Sequence, residues 1–197
     1  MTNRNRTVLI ASLALIAATA GGWAYHSHHK YKHLATHEPG MMYRSAWLDA
    51  ETMGEVVEDL QLRTVVNLCK PGEMGEARWE AERKAVSGAN ARLIELSMPT
   101  TIDADDPVLQ DHIDVLSNPD NYPMLVHCQH GVTRTSKFLA MYDMLFRGIP
   151  GEESLENQPL FGREHQNVHV LGFVRQFQKR IARERVADAA SLDSIRQ

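Results

Sequence analysis

His127-Cys128-Gln129-His130-Gly131-Val132-Thr133-Arg134-Thr135 has the residue types and the spacing to do chemistry. It follows an apolar run, Met124 to His127, that reads as a buried strand, and it leads into a helical stretch, Thr135 to Phe146. A loop that opens a helix points its backbone N–H groups inward and adds the positive end of the helix dipole. Such a nest binds a tetrahedral anion. Gly131 lets the backbone turn without a Cβ in the way. The planar fork of Arg134 can hold two oxygens of one phosphate. Gln129, His130, Gly131, Val132, Thr133 and Arg134 are therefore the expected phosphate-binding residues. The same field lowers the pKa of Cys128, and a thiolate is a nucleophile. Reading Cys128 as a small buried hydrophobe would leave the preceding strand, the glycine and the arginine unexplained.

An anion site of this kind needs a sheet whose strands end at it. Met42-Tyr43-Arg44 is a short strand candidate, and Asp49 can cap a helix running to Leu60. Thr64 to Leu68 is β-branched and is ended by the Pro71-Gly72 turn. A helix over 75–87, a strand from Arg92 to Leu96 and a helix from Pro107 to Leu116 follow. Two further helices are expected over 151–157 and 166–186. Strands alternate with helices, so the fold class is α/β, a central, mostly parallel sheet flanked by helices.

The stretch from His127 to Thr135 resembles the signature of cysteine-dependent protein tyrosine phosphatases. The short domain and Tyr43-Arg44-Ser45 are similar to the compact dual-specificity branch, and the layout resembles bacterial periplasmic phosphatases of that branch. The likeness covers about residues 40–182, and Ser136 departs from it where the family usually has Gly. The resemblance implies a two-step reaction. Cys128 attacks phosphorus and forms a phosphocysteine, Arg134 and the loop N–H groups hold the equatorial oxygens, and Thr135 stabilises the leaving thiolate. His127 is expected to be buried and hydrogen-bonded, orienting the loop, and not to act as a base. The resemblance also implies a general acid a few residues before Pro107. Asp103 fits best, Asp105 is second, and Asp106 reads as a helix cap. Cys69, in Asn67-Leu68-Cys69, lies where some relatives carry a cysteine that traps the nucleophile as a disulfide. A buried, inert Cys69 is the alternative. No cofactor and no metal is called for.

Residues 7–25 carry no charge and follow Arg4 and Arg6. They read as a signal peptide or membrane anchor over 1–25, forming a hydrophobic helix, with Trp23 and Tyr25 at its far end. The expected location is anchored in the inner membrane facing the periplasm, or periplasmic after cleavage near Ala18-Thr19-Ala20. Residues 26–40 read as a linker containing His26, His28, His29, His33 and His37. A metal site there would need a fixed geometry that the composition does not supply. The phosphatase domain is expected over 41–186 and a frayed polar tail over 187–197.

The chain has 197 residues and a formal charge of −4, and residues 41–197 hold 17 Lys/Arg against 24 Asp/Glu. That balance disfavours nucleic acid as a partner. It also disfavours a polyphosphorylated substrate, as does the absence of lysine in the loop. The expected substrate is a phosphorylated protein carrying phosphotyrosine, with phosphoserine and phosphothreonine as second candidates. Two other functions stay open: a rhodanese-like sulfurtransferase and a non-catalytic phosphate-binding module.

Overall fold

The computed structural model describes residues 12–13, 15–16, 18–19, 21–22, 29–159, 161–162 and 166–195, and it divides into two units, Met1–Lys32 and His33–Gln197. In the first unit the described residues between 12 and 22 are helical, with Leu13, Leu15 and Ile16 exposed. Among the described residues no helix is long and apolar enough to cross a membrane. Arg4, Arg6, Ala20, Trp23, Tyr25, His26 and His28, on which the export and linker readings partly rest, lie outside the described residues.

The second unit is built on a five-stranded sheet in the order β1-β2-β5-β3-β4. The strands are β1 (Ala35–Glu38), β2 (Met42–Ala46), β3 (Thr64–Asn67), β4 (Arg92–Glu95) and β5 (Met124–Cys128). Every residue of β3 and β5 is buried, as continuous apolar runs at the centre of a parallel sheet must be. The pairs β2–β5, β5–β3 and β3–β4 are parallel, and only β1 runs antiparallel, on the edge beside β2. Ala46 pairs with Cys128 and Asn67 with His127, so β2, β3 and β5 end together beside the loop that follows Cys128.

The compact unit starts at His33, and its edge strand falls inside the stretch read as linker. The sequence signal for β1 is weak because His37 and Glu38 are polar. Their partners lie far along the chain: His37 Nε2 is 3.0 Å from Asp143 Oδ1, and Glu38 accepts a 2.7 Å hydrogen bond from the Tyr142 hydroxyl.

The helices are α1 (Ala50–Asp59), α2 (Glu76–Gly88), α3 (Leu109–Ser117), α4 (Thr133–Tyr142), α5 (Gly151–Asn157) and α6 (Val168–Ile195). Asp49 caps α1, accepting from the Thr52 N–H at 3.0 Å. Asp106, expected to cap α3, instead accepts from the Val108 N–H at 3.0 Å in the turn just ahead of the helix, whose N-cap position is Val108 and carries no side-chain cap. A π-helical turn, Asp143–Arg147, extends α4 to Gly148, whose φ of +66° suits glycine. The last helix continues to Ile195 instead of fraying at 187. No Gly or Pro follows Gly172, so nothing in the local sequence stops it. Phe138 and Leu139 of α4 share the core with Val170, Phe173, Val174 and Phe177 of α6.

Beneath the end of β5 sits a fully buried polar cluster. Glu82 of α2 accepts from Asn67 Nδ2 at 2.7 Å and lies 3.0 Å from His127 Nε2. Asn67 in turn accepts from the Cys69 N–H at 2.9 Å. One carboxylate thus ties α2 to the two strands that carry the cysteines. Glu82→Ala would leave both partners buried without it. Urea unfolding is expected to show a loss of about 3 kcal/mol for that variant and a smaller loss for Glu82→Gln. Equal losses would mean that the cluster acts by packing alone.

Candidate active site

Cys128 ends β5 at the floor of a cavity of about 550 Å³ lined also by His33, Glu73, Thr100, Gln129, His130, Val132, Thr133 and Arg134. The loop from Gln129 to Val132 connects β5 to α4, so the backbone amides at the start of α4 border the sulfur. Gly131 holds the turn with φ +62°. A Cβ there would collide with the Ser45 carbonyl and stand 2.6 Å from the Ala46 nitrogen, so this position requires glycine for space as well as for conformation.

Arg44, on β2, is fully buried and supports the loop from behind. Its Nη2 donates to the Gly131 carbonyl at 2.5 Å and to Ser136 Oγ at 3.3 Å, and its Nη1 donates to Gln158 Oε1 at 2.7 Å. Ser136, the departure from the family pattern, is thus a bonded part of this support. Arg44 appeared in the sequence reading only within a tripeptide resemblance. A charged residue inside an otherwise buried strand was the signal for its role.

Arg134 lies against Glu73, a residue that sequence reasoning did not single out. Nη1 donates to Glu73 Oε2 at 2.7 Å and to the Leu68 carbonyl at 3.3 Å, and Nη2 donates to Glu73 Oε1 at 2.5 Å. Glu73 therefore occupies one edge of the guanidinium, and its carboxyl is held below its ordinary pKa chiefly by the hydrogen bonds from Arg134. The N–H of Nε and the second N–H of Nη2 remain, on the adjacent edge, as a matched pair for two oxygens of an anion.

The Cys128 thiol is pulled below its ordinary pKa. Burial opposes ionisation, but the Thr135 hydroxyl, 3.3 Å from Sγ, the Arg134 charge and the backbone N–H groups of Thr135 and Val132 outweigh it. Cys69 behaves in the opposite way. It is buried, and burial pushes its thiol up to about 12, against the pull of Arg134. Both cysteines are free thiols. His127 is buried as expected, facing Glu82 and the edge of the Trp47 ring, but among the described residues neither ring nitrogen makes the expected hydrogen bond: the 3.0 Å approach of Nε2 to Glu82 is poorly aligned.

The structure brings Cys128, Arg134, Thr135 and the loop from Gln129 to Thr133 together. It does not bring the carboxylates of the acidic loop to the same cavity. Asp103 is exposed and lines an adjoining groove of about 390 Å³ with Asp106, His169 and Phe173. Asp105 is paired with Arg183 at 2.6 Å, and Asp106 accepts from the Val108 N–H. Among the described residues Asp103 has no side-chain hydrogen bond or ion pair. Thr100 is the loop's member at the cavity, and its carbonyl is anchored by Lys137 Nζ at 2.8 Å. Of the described histidines in the second unit's part of the tract, His33 lines the cavity and His37 pairs with Asp143.

Two outcomes follow from this geometry. Thr135→Ala is expected to move the pH midpoint of Cys128 alkylation by iodoacetamide upward, because it removes the hydroxyl that favours the thiolate. Glu73→Gln is expected to weaken inorganic phosphate binding about tenfold, measured by calorimetry, because Arg134 loses a charged orienting partner.

Comparison with known proteins places this arrangement. The family described as DSP-PTPase phosphatase fused to NAD+ kinase matches residues 24–176. Dual specificity protein phosphatase TpbA from two strains of Pseudomonas aeruginosa is 30% identical over 138 residues, which cover 68% of this chain and 58% of that protein. The chain therefore spans less than two thirds of the length of the curated relatives it matches. Among solved structures, P. aeruginosa TpbA superposes with a TM-score of 0.57 at 26% identity, covering 73% of this chain and 84% of that one. A cysteine-to-serine variant of TpbA in complex with pTyr gives 0.57 at 25% identity, covering 76% and 90%. The core catalytic domain of the PP-IP phosphatase Siw14 from S. cerevisiae, in complex with citrate, shares the fold, with a TM-score of 0.61 at 20% identity over 79% and 93%. A cysteine and an arginine around one anion-sized loop, on this sheet and with these relatives, have one family reading: the chain belongs to the dual-specificity branch of the cysteine-dependent protein tyrosine phosphatases.

Proposed function

We propose that this protein is a protein phosphatase that hydrolyses phosphotyrosine, and phosphoserine or phosphothreonine as second substrates, through a phosphocysteine on Cys128. The observation that carries the reading is the Cys128 sulfur, hydrogen-bonded by Thr135 and placed below an Arg134 that keeps one guanidinium edge for an oxyanion. The Cys128 thiolate attacks phosphorus in line as the P–O bond to the leaving group breaks. Arg134 and the loop N–H groups hold the three equatorial oxygens, where transition-state charge gathers. Asp103 supplies the leaving oxygen with its proton. It is the acid of its loop whose carboxyl is not committed elsewhere, and turning toward Cys128 breaks no side-chain bond. Water then attacks the phosphocysteine, releasing inorganic phosphate and returning the thiolate to the Thr135 hydroxyl. The loop positions Gln129, His130, Val132 and Thr133 carry no lysine, which favours a single phosphate over a polyphosphorylated substrate. The relative crystallised with pTyr points the same way.

The uncharged residues 7–25 behind Arg4 and Arg6 support export, with the domain anchored at or released from the inner membrane on its periplasmic side. Protease accessibility in spheroplasts, with N-terminal sequencing of the mature chain, tests that assignment.

Cys128→Ser and Arg134→Ala are each expected to lower aryl-phosphate turnover by about a thousandfold or more with the fold intact. A loss of less than tenfold would overturn the mechanism, and thiosulfate turnover by the wild type would favour a sulfurtransferase. Asp103→Ala is expected to slow substrates with poor leaving groups much more than those with acidic ones, which need little protonation. The same pattern in Asp105→Ala instead would move the acid two residues along. Peroxide followed by a thiol reductant, applied to wild type and Cys69→Ser, tests Cys69 as the redox partner of Cys128. Faster recovery by the wild type, with a cross-linked peptide, is expected if the two pair.

A further inference from the structure

His33 lies in the histidine-rich stretch whose purpose the phosphatase reading leaves unexplained, and it lines the same cavity as Cys128 and Arg134. Two separate contacts fix its ring. Nδ1 donates to the His130 carbonyl oxygen at 2.7 Å, which places the proton on Nδ1. One face stacks on Phe161, with ring centroids 4.4 Å apart and planes within 10°. The backbone holds φ +56°, a left-handed conformation that non-glycine residues adopt at a cost and keep where surrounding contacts demand it. Phe161 is itself held from below by the Arg44 guanidinium, 5.3 Å from its centroid. The ring is therefore positioned by the same arginine that supports the phosphate loop.

With Nδ1 committed, Nε2 is the nitrogen without a hydrogen-bond partner among the described residues. The charged and titratable groups around it on the cavity are His130, Glu73, Arg134 and Cys128. Glu73 is neutralised by Arg134, and Arg134 and Cys128 are directed at the phosphate. Among the described residues lining the cavity the acid is Glu73, and it is paired with Arg134, in a domain where acids outnumber bases 24 to 17. Nε2 can donate to a carboxylate set beside it when the ring carries both protons.

We propose that His33 is a specificity-determining residue whose Nε2 meets the carboxylate of an acidic side chain flanking the phosphorylated residue, so that the preferred substrate is an acidic phosphopeptide. This rests on the phosphatase reading. It makes the segment just before β1 part of the substrate surface as well as a tether.

The test uses the full chain and two phosphotyrosine peptides that differ only in having Glu or Ala on both sides of the phosphotyrosine. The wild type is expected to favour the Glu peptide about fivefold in kcat/KM, mostly through KM, the upper range for a solvent-exposed ion pair. His33→Phe keeps a ring against Phe161 but has no Nε2, and its preference is expected to fall to about one. His33→Lys loses the ring but keeps a cation, and it is expected to retain the preference. Because each result is a ratio within one protein, a general weakening of the loop cancels. An unchanged ratio in His33→Phe, a lost ratio in His33→Lys or no preference in the wild type overturns the proposal. If the wild type hydrolyses neither peptide nor an aryl phosphate, the phosphatase reading itself fails first.

Discussion

A buried guanidinium behind the phosphate loop is the contact on which the rest of the site depends. Arg44 sits in β2, away from solvent, and spends its N–H groups on Gly131, Ser136 and Gln158. A buried, permanently charged group is costly unless it is satisfied, so the loop, the first turn of α4 and the end of α5 must come to it. Gly131 can approach because it has no Cβ, and the backbone of Ser45 and Ala46 fills that space. The loop's curvature is thus set by strand β2 and not by the loop's own residues.

The electrostatics follow from this placement. Once the loop is curved, Cys128 meets the Thr135 hydroxyl and the N–H groups that open α4, and its thiol is pulled below its ordinary pKa despite burial. Arg134 is aimed by Glu73 from the turn after β3, so β5 brings Cys128, β2 brings Arg44 behind the loop, and the turn after β3 orients the guanidinium. The two cysteines show how local this tuning is. Cys69 is also at the end of a central strand, yet it lacks a hydroxyl and helix amides, and burial dominates its titration.

The acidic loop stands apart from this rigid group. Its carbonyl at Thr100 is anchored by Lys137, while Asp103 faces an adjoining groove with its carboxyl uncommitted. The loop is held on both sides of Asp103, by Lys137 at Thr100 and by Arg180 and Arg183 at Ala104 and Asp105. Unlike the Asp103 carboxyl, His33 is a side chain far from the signature that is restrained by a hydrogen bond, a stack and its own backbone.

The sequence by itself determined the alternation of strands and helices, the strand–loop–helix around Cys128 and the presence of Arg134 and Thr135 beside it. These are short-range properties: the period of apolar residues, the glycine and the spacing within one loop are written in consecutive residues. It left β1 inside a linker, because a four-residue edge strand with His37 and Glu38 has no apolar alternation to show. Only the tertiary structure decided that Glu73 clamps Arg134, that Arg44 supports Gly131, that Asp103 opens onto a neighbouring groove and that His33 reaches the cavity. Each of these pairs residues tens of positions apart, and long-range pairing depends on strand order and register, which a local pattern does not encode.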